Sequence, residues 1–260
     1  MADPLVLRHD DGGVATLTLN RPEKLNALNP AMFVALRRHV EALAAADGIG
    51  CVVLNGAGRA FSAGHDLGAI ASREPAPSRH YEPETIDLLE ALPKPTIAKI
   101  RGYCFTGGLE LALACDLLVA AGSAQLGDTH GQWGLVPAWG MSVRLPERVG
   151  RARAKELMFT SRRISAATAA EIGLVDRCVP DDELDASVAA LAAEIIANSW
   201  GTNRIDKALL AARSGMPGRP RSSSSAACRS ASLPTWPSGW DAPTSGGDRP
   251  GGACLASRTG

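Results

Sequence analysis

The chain has 260 residues, with 27 basic and 27 acidic side chains and a formal net charge of zero. This length is enough for one large α/β domain or two small ones, and the balanced charge gives no overall field that favours nucleic acid or an acidic membrane surface as a partner. No secretory signal is visible at the amino terminus and the longest apolar run is too short to span a bilayer, so we expect a cytoplasmic protein.

The first predicted elements are a strand pair and a helix. GGVATLTLNRP predicts a strand pair entering a loop, because apolar residues alternate in a stretch rich in β-formers. NPAMFVALRRHVEALAAADG predicts a helix, with Asn29 as its amino-terminal cap and Pro30 in its first turn. The apolar residues that recur on one face of this helix are Met32, Leu36, Val40 and Leu43.

Strand and helix patterns continue to alternate along the chain. CVVLNGAG and TIAKIRG predict strands, GGLELALACD a helix, and LLVAA a further strand. GRARAKELMFT and SAATAAEIG predict helices, which are followed by the strand-like LVDRCV and the helix DDELDASVAALAAEIIANS. Strands that alternate with helices over roughly two hundred residues predict an α/β domain.

The composition changes abruptly after Met216. Residues 217–260 are rich in Gly, Pro and Ser and contain no Ile, Val or Phe. Such a segment cannot bury enough apolar surface to offset the entropy of ordering, so we expect disorder. The sequence therefore predicts one domain over residues 1–212 and a low-complexity tail over residues 213–260. We favour a shift of reading frame in GC-rich coding sequence over a natural tail.

The six cysteines show no CxxC pair and no spacing typical of metal ligands. Cys51, Cys104 and Cys115 lie in apolar runs. They are therefore predicted to be reduced thiols of the core.

Two glycine-containing turns are candidates for binding an oxygen atom. RAFSAGHDLGAI predicts a strand that runs into a tight turn at residues 62–64, with free backbone amides at His65 and Asp66. In RGYCFTGGLELALACD, Gly107 and Gly108 precede a helix, where amides lack intrahelical partners. If the turns meet, two N–H groups point at one oxygen, as stabilisation of an enolate or tetrahedral oxyanion requires. Each turn alone is weak evidence.

Five motifs in register resemble the crotonase superfamily, which includes enoyl-CoA hydratases and isomerases. The resemblance covers residues 5–212. It implies a spiral of ββα units with a carboxy-terminal helical region, assembled as a homotrimer or a dimer of trimers, and an acyl-CoA thioester as substrate. The motifs are RPEKLNALN (21–29), FSAGHDL (61–67), GGLELALACDLLVA (107–120), GLVPAWGMSVRL (134–145) and ISAATAAEIGLVDRCVP (164–180).

The resemblance also implies which residues hold the thioester. The backbone amides of His65 and Gly107 match the oxyanion hole that receives the carbonyl oxygen. The RPEKLNALN loop matches the segment that lies against CoA, with Lys24 available to phosphate. No metal or redox cofactor is implied, since CoA is part of the substrate. The further positions implied to contact substrate or CoA are Leu25, Ala27, Ala63, Asp66, Leu67, Gly68, Trp133 and Ala138.

Glu110 and His130 fall where the family's hydratases carry two catalytic glutamates. Glu110 matches the first and interrupts an otherwise apolar helix, where a buried carboxylate is costly unless it is paired or functional. His130 stands at the position of the second. An imidazole can take either protonation state near neutral pH, so it can transfer protons there. The alternative is that His130 is a solvated turn residue.

The resemblance implies an enzyme of the hydratase/isomerase group that adds water to, or removes it across, the 2,3 double bond of an acyl-CoA. Glu110 is the predicted base toward water, and His130 holds that water or moves the second proton. Two alternatives within the superfamily are a double-bond isomerase and a C–C hydrolase. A third, of another class, is an inactive acyl-CoA-binding or assembly subunit. The histidine at position 130 supports it, as does the tail, which stands where the family has its carboxy-terminal helices.

Overall fold

The computed structural model describes residues 3–213, so the predicted tail lies outside the described residues from position 214 onward. The strands of the described part are β1 (Val6–Asp11), β2 (Val14–Leu19), β3 (Cys51–Gly56), β4 (Ala60–Ser62), β5 (Thr96–Ile100), β6 (Tyr103–Phe105), β7 (Leu117–Ala121), β8 (Gln125–Gly127), β9 (Ile164–Ser165) and β10 (Arg177–Val179). Its helices are α1 (Pro30–Ala44), α2 (Leu67–Ser72), α3 (Tyr81–Glu90), α4 (Gly107–Leu113), α5 (Met141–Thr160), α6 (Ala166–Glu171), α7 (Leu184–Ile196) and α8 (Trp200–Arg213). Two 3₁₀ turns, Pro22–Lys24 and His130–Trp133, complete the set.

The strands form two sheets that the chain visits in alternation. The larger sheet has the order β1-β2-β3-β5-β7-β10 and the smaller one the order β4-β6-β8-β9. Only the β1–β2 and β8–β9 pairs are antiparallel. The pairs β3–β4, β5–β6 and β7–β8 each give one strand to each sheet before a helix follows. This arrangement is the spiral of ββα units that the resemblance implies.

Helix α1 forms as its sequence predicts. The Asn29 side chain accepts a hydrogen bond of 3.0 Å from the Met32 amide, which satisfies one of the amides that lack an intrahelical partner. Pro30 opens the first turn, where the missing N–H costs nothing. The predicted apolar face, from Met32 to Leu43, is buried against the larger sheet in the main core.

The larger sheet is buried on both faces because its residues alternate between two apolar clusters. In β3, Val52 and Leu54 face the main core, whereas Cys51 and Val53 face a second cluster. Helix α7 covers that second face. The parallel strands therefore carry nearly continuous apolar runs, as expected of strands covered on both sides. The side chains with which α7 closes the cluster are Leu184, Val188, Leu191 and Ala192.

Several elements differ from the sequence prediction. The segment predicted as a strand pair supplies only β2, and its partner β1 lies in the preceding residues. The helix predicted to begin at Gly150 begins earlier, at Met141, and bends at Gly150, where φ is 75° and ψ is 157°. Helices α2 and α3 were not predicted. In the smaller sheet, β4 is the strand predicted before the turn at residues 62–64, whereas β8 and β9, of three and two residues, are too short for an alternation pattern to identify.

Cys51, Cys104 and Cys115 are buried and free, as predicted. Burial raises the pKa of the Cys51 and Cys115 thiols to about 12, so both stay protonated near neutral pH. Between residues 3 and 213 no helix combines the length and the apolar character needed to cross a bilayer.

Candidate active site

Three neighbouring strands of the smaller sheet end at the same edge, and the predicted site residues follow them. Strands β4, β6 and β8 run parallel and lie side by side. The chain leaves them through residues 63–66, 106–107 and 128–130, respectively. The carboxyl ends of parallel strands are the usual place for ligands in α/β sheets. The fold therefore gathers segments that are far apart in the sequence.

The two glycine-containing turns meet, as an oxyanion hole requires. The Thr106 hydroxyl donates a hydrogen bond of 3.2 Å to the carbonyl of Ala63 in the first turn. Gly64 has a φ of 100°, and a Cβ there would lie 1.6 Å from the Thr106 hydroxyl oxygen, so only glycine allows this approach. Thr106 itself has a φ of 48°, a strained value for a β-branched residue directly before Gly107.

The backbone amides of His65 and Gly107 are available to a ligand. Residues 25–28 run alongside residues 63–66, and the Asp66 amide donates to the Leu28 carbonyl at 2.8 Å. The prediction that the Asp66 amide is free is therefore wrong. Successive amides of an extended strand point to opposite sides, so the His65 amide points away from this ladder. Within the described part of the chain, neither the His65 amide nor the Gly107 amide has an acceptor.

Trp139 forms one wall beside these amides. Its ring lies so close to Gly107 that a Cβ there would stand 2.3 Å from the ring. It also packs against the rings of His65 and Phe33, with centroid distances of 4.6 and 4.8 Å. Burial, and to a lesser degree the charge of His130, lowers the pKa of His65 to about 4. His65 is therefore a neutral wall residue and not an acid.

The loop implied to contact CoA is held rigidly by its own polar side chains. Asn26 is fully buried and its side-chain amide donates to the carbonyls of Ala57 and Ala60 at 2.9 and 2.8 Å. Arg21 donates to the Ala27 carbonyl and to the Asp66 carboxylate, which also caps helix α2. The Asp66 side chain is thus occupied by structural contacts. Sequence analysis did not single out Arg21 or Asn26.

The other residues implied to contact substrate or CoA surround this region to different degrees. Lys24 is exposed on its 3₁₀ turn and Ala138 is exposed in the loop before α5. Gly68, also exposed, donates its amide to Asp66. The half-buried members of the set are Leu25, Ala27, Ala63, His65, Asp66, Leu67 and Trp133.

Glu110, one turn of helix α4 after Gly107, is buried, with 1 % of its surface exposed. One carboxylate oxygen, Oε1, accepts hydrogen bonds from the amides of Trp139 and Met141 at 2.8 and 3.0 Å. Burial raises the pKa of Glu110, although the charge of His130 and these two amides oppose the shift. The other oxygen, Oε2, lies 3.6 Å from Nε2 of His130.

His130 is a buried member of the site and not a solvated turn residue, since only 6 % of it is exposed. Its Nδ1 lies 2.5 Å from Oδ1 of Asp128, a carboxylate that is itself 2 % exposed. Burial by itself lowers the pKa of the imidazole. The hydrogen bond to Asp128 and the charges of Glu110 and Asp128 outweigh that effect, so the pKa of His130 is raised. Sequence analysis missed Asp128, although an acid two positions before a candidate catalytic histidine is a usable signal.

Arg144 supports the segment that holds Glu110. It is 2 % exposed and donates to the Trp139 carbonyl at 2.7 Å. Its other contacts are ion pairs with Asp87 and Glu90 of helix α3, at 2.7 and 2.8 Å. Trp139 is therefore fixed at its carbonyl by Arg144 and at its amide by Glu110. No pattern in the sequence marks Arg144.

Comparison with known proteins gives consistent results. The family model for enoyl-CoA hydratase/isomerase matches residues 9–219. A crystal structure of enoyl-CoA hydratase from Bacillus anthracis is 36% identical, with a TM-score of 0.77 over 80% of this chain and 83% of that one. A Thermobifida fusca protein solved in complex with CoA is 34% identical, with a TM-score of 0.76 over 84% and 88% of the two chains. Crotonyl-CoA hydratase from Syntrophomonas wolfei is 32% identical over 83% of this chain and 84% of its own length.

The match to the family model includes strands β2 to β10 and every segment of the site. The alternation of β3–β4, β5–β6 and β7–β8 between two sheets is the fold of the matched structures. Independently of any comparison, the two glycine-containing turns meet, and helix α4 carries the buried acid Glu110 one turn after Gly107. On both grounds, the chain belongs to the enoyl-CoA hydratase/isomerase family of the crotonase superfamily.

Proposed function

We propose that this protein adds water across the 2,3 double bond of an enoyl-CoA thioester, or removes it in the reverse direction, using Glu110 and His130 as its acid–base pair. The observation that supports this most strongly is the buried contact of 3.6 Å between the Glu110 carboxylate and the His130 imidazole. Glu110 stands one helical turn after Gly107, whose free amide, together with that of His65, can bind a thioester oxygen. The site combines charge stabilisation and proton transfer in one place.

The His65 and Gly107 amides act on the thioester carbonyl. As water attacks C3, negative charge moves from the double bond to the carbonyl oxygen, and the two N–H groups stabilise the resulting enolate. Loss of one such donor typically raises the barrier by about 2.7–4 kcal/mol. Gly107 allows the Trp139 ring to lie directly on the backbone, which limits the access of bulk water to this oxygen.

Glu110 and His130 move the two protons. The free oxygen of Glu110, Oε2, takes a proton from water while the water oxygen bonds to C3. The imidazolium of His130 gives a proton to C2 and so collapses the enolate. A proton then passes from Glu110 Oε2 to His130 Nε2, which restores both groups. Each positioned proton-transfer group is typically worth about 10²- to 10⁴-fold in rate.

Double-bond isomerisation is the second candidate, since the same amides and the same proton pair can move a proton between C2 and C4. The inactive-subunit alternative is disfavoured by the site itself. Burial of two carboxylates and an imidazole together destabilises the folded protein, and a protein that only binds acyl-CoA has no use for such a cluster.

We further propose that the chain works in the cytoplasm as a homotrimer or a dimer of trimers. The free cysteines Cys51, Cys104, Cys115 and Cys178 fit a reducing compartment. Among the described residues, four large apolar ones have 55 to 81% of their surface exposed and are candidates for burial between subunits, namely Phe159, Ile205, Leu209 and Leu210.

The experiment that tests the proposed reaction is product analysis in ¹⁸O-labelled water. Incubation of the protein with crotonyl-CoA should give 3-hydroxybutyryl-CoA with the label at C3. A product that contains no solvent oxygen and only a shifted double bond would replace hydration by isomerisation. Release of free CoA instead would indicate hydrolysis of the thioester and would also contradict hydration.

A further inference from the structure

The environment of His130 gives its two ring nitrogens different roles. Asp128 Oδ1 lies 2.5 Å from Nδ1 and also accepts the backbone amide of His130 at 3.1 Å. A carboxylate can only accept hydrogen bonds, so the proton between the two groups belongs to Nδ1. A hydrogen bond to one ring nitrogen sets the tautomer and leaves the other free for chemistry.

The remaining nitrogen has a single partner among the described residues. Nε2 faces Oε2 of Glu110 at 3.6 Å, and Oε1 of the same carboxylate is occupied by the amides of Trp139 and Met141. Proton exchange within the pair is therefore restricted to Nε2 and Oε2. The third titratable group near the ring, His65, is neutral and contributes no competing charge.

Asp128 gives the imidazolium of His130 a carboxylate partner other than Glu110. Glu110 and Asp128 flank a single imidazolium, so the buried cluster carries one net negative charge. Without Asp128, a buried imidazolium would depend on Glu110 alone. Glu110 would then take the proton of the imidazolium, because the neutral pair has the lower free energy in a desolvated site. A protonated Glu110 cannot act as the base.

We propose that Asp128 is a positioning residue of the catalytic site, which holds His130 protonated at Nδ1 and directs Nε2 at Glu110, so that His130 is the acid and Glu110 the base of the pair. This inference deepens the proposed function and rests on it. Asp128 touches no reacting atom, and it acts through the ring orientation and charge of His130.

The test uses three variants and two measurements. Asp128→Asn keeps an oxygen that can accept the His130 amide but removes the charge. His130→Glu places a third carboxylate beside those of Glu110 and Asp128. The double variant Asp128→Asn/His130→Glu has two carboxylates, as the wild type has. The ¹⁵N NMR shifts of the His130 ring are recorded without substrate, and kcat and KM are measured with crotonyl-CoA. Asp116→Asn is the matched control, because Asp116 also accepts a backbone amide, from Thr96, but stands before β7 and away from the site.

We expect Asp128→Asn to shift the ring ¹⁵N signals away from the Nδ1-protonated form. Its kcat should fall by about 10²- to 10⁴-fold while KM changes little. The double variant should be at least about tenfold more active than His130→Glu, since it avoids the repulsion of a third buried carboxylate. Asp116→Asn should leave kcat near the wild-type value.

Two results would overturn the inference: ring signals and kcat that are unchanged in Asp128→Asn, or a double variant no more active than His130→Glu. The ring measurement needs no turnover. If the wild-type protein hydrates nothing, the proposed function fails, and the NMR comparison still decides whether Asp128 sets the state of His130.

Discussion

At the scale of single residues, Glu110 has a different task for each of its oxygens. Oε1 holds the amides of Trp139 and Met141, and Oε2 faces His130. A buried carboxylate with only one of these tasks would be easier to explain. Because Glu110 has both tasks, a substitution can have a structural effect through Oε1 and a chemical effect through Oε2, and the two effects can be measured separately.

Substitution of Glu110 by Gln and by Ala should therefore give different stabilities. Gln retains an oxygen that can accept the two amides, so the midpoint of thermal unfolding should stay close to that of the wild type. Ala leaves two buried amides without an acceptor, at a cost of about 1–3 kcal/mol for each. Thermal unfolding of both variants measures the difference. Equal losses of stability would mean that the two amide contacts contribute nothing.

His65 should make the stability of the protein depend on pH. Burial, with a smaller effect from the charge of His130, lowers the pKa of His65 to about 4 from an ordinary value near 6.5. Between these values the unfolded chain binds a proton that the folded chain does not. The free energy of unfolding should therefore fall as the pH is lowered from about 6.5 to about 4.

Because carboxylates titrate in the same window, the measurement is a comparison with His65→Gln. Denaturant unfolding at several pH values should show a smaller loss of stability for the variant than for the wild type. Parallel curves for the two proteins would contradict the assignment of a neutral His65.

At the scale of elements, the smaller sheet creates the site, and it is the part that sequence patterns predict least. The long apolar runs of β3, β5 and β7 identify the larger sheet, and cap and periodicity together identify α1. Strands β4, β6 and β8 have three residues each, so no alternation can be read from them. Their alignment, which unites His65, Gly107 and His130, follows from tertiary pairing that only the fold shows.

The family resemblance supplied these site residues where patterns could not, but it did so position by position. It placed Glu110 and His130 as a pair and passed over Asp128, which has no counterpart in the motifs that carried the resemblance. It also implied that Asp66 contacts substrate or CoA. In the structure, the Asp66 amide is bonded to Leu28 and its carboxylate is bonded to Arg21. Contacts made across the fold decide such cases.

Arg144 links helices α3 and α5 to the site, so its loss should affect both stability and activity. Arg144→Ala leaves Asp87 and Glu90 without this partner and frees the Trp139 carbonyl. The two acids have 22% and 23% of their side-chain surface exposed, so we expect a loss of about 3 kcal/mol, the low end for breaking a buried pair. Denaturant unfolding measures it.

The control is Arg153→Ala, which breaks an exposed pair with Glu156 in the same helix and should cost less than about 0.5 kcal/mol. Similar losses for both variants would show that the buried pairs of Arg144 add nothing beyond a surface contact. If kcat is unchanged in Arg144→Ala, the support that Arg144 gives to residues 139–141 does not affect the chemical step.

At the scale of the whole molecule, the proposed assembly is testable through helix α8. Ile205 and Leu209 are one turn apart, so they share a face that is more than half exposed. Sedimentation of the wild type should give three or six times the mass of one chain. The Ile205→Glu/Leu209→Glu variant should sediment as a smaller species, and Arg204→Glu, a charge change elsewhere on this helix, should not. A monomeric wild type would contradict the proposal.

The proposed function depends on a buried Glu110–His130 pair that performs hydration, and one kinetic comparison tests it most directly. The measurement is kcat for crotonyl-CoA hydration by the wild type, Glu110→Gln and His130→Ala, followed as loss of the absorbance of the conjugated thioester. We predict an active wild type and a fall of at least about 10²-fold in each variant. A wild type that binds the thioester without hydrating it, or a variant that keeps the wild-type rate, would contradict the account.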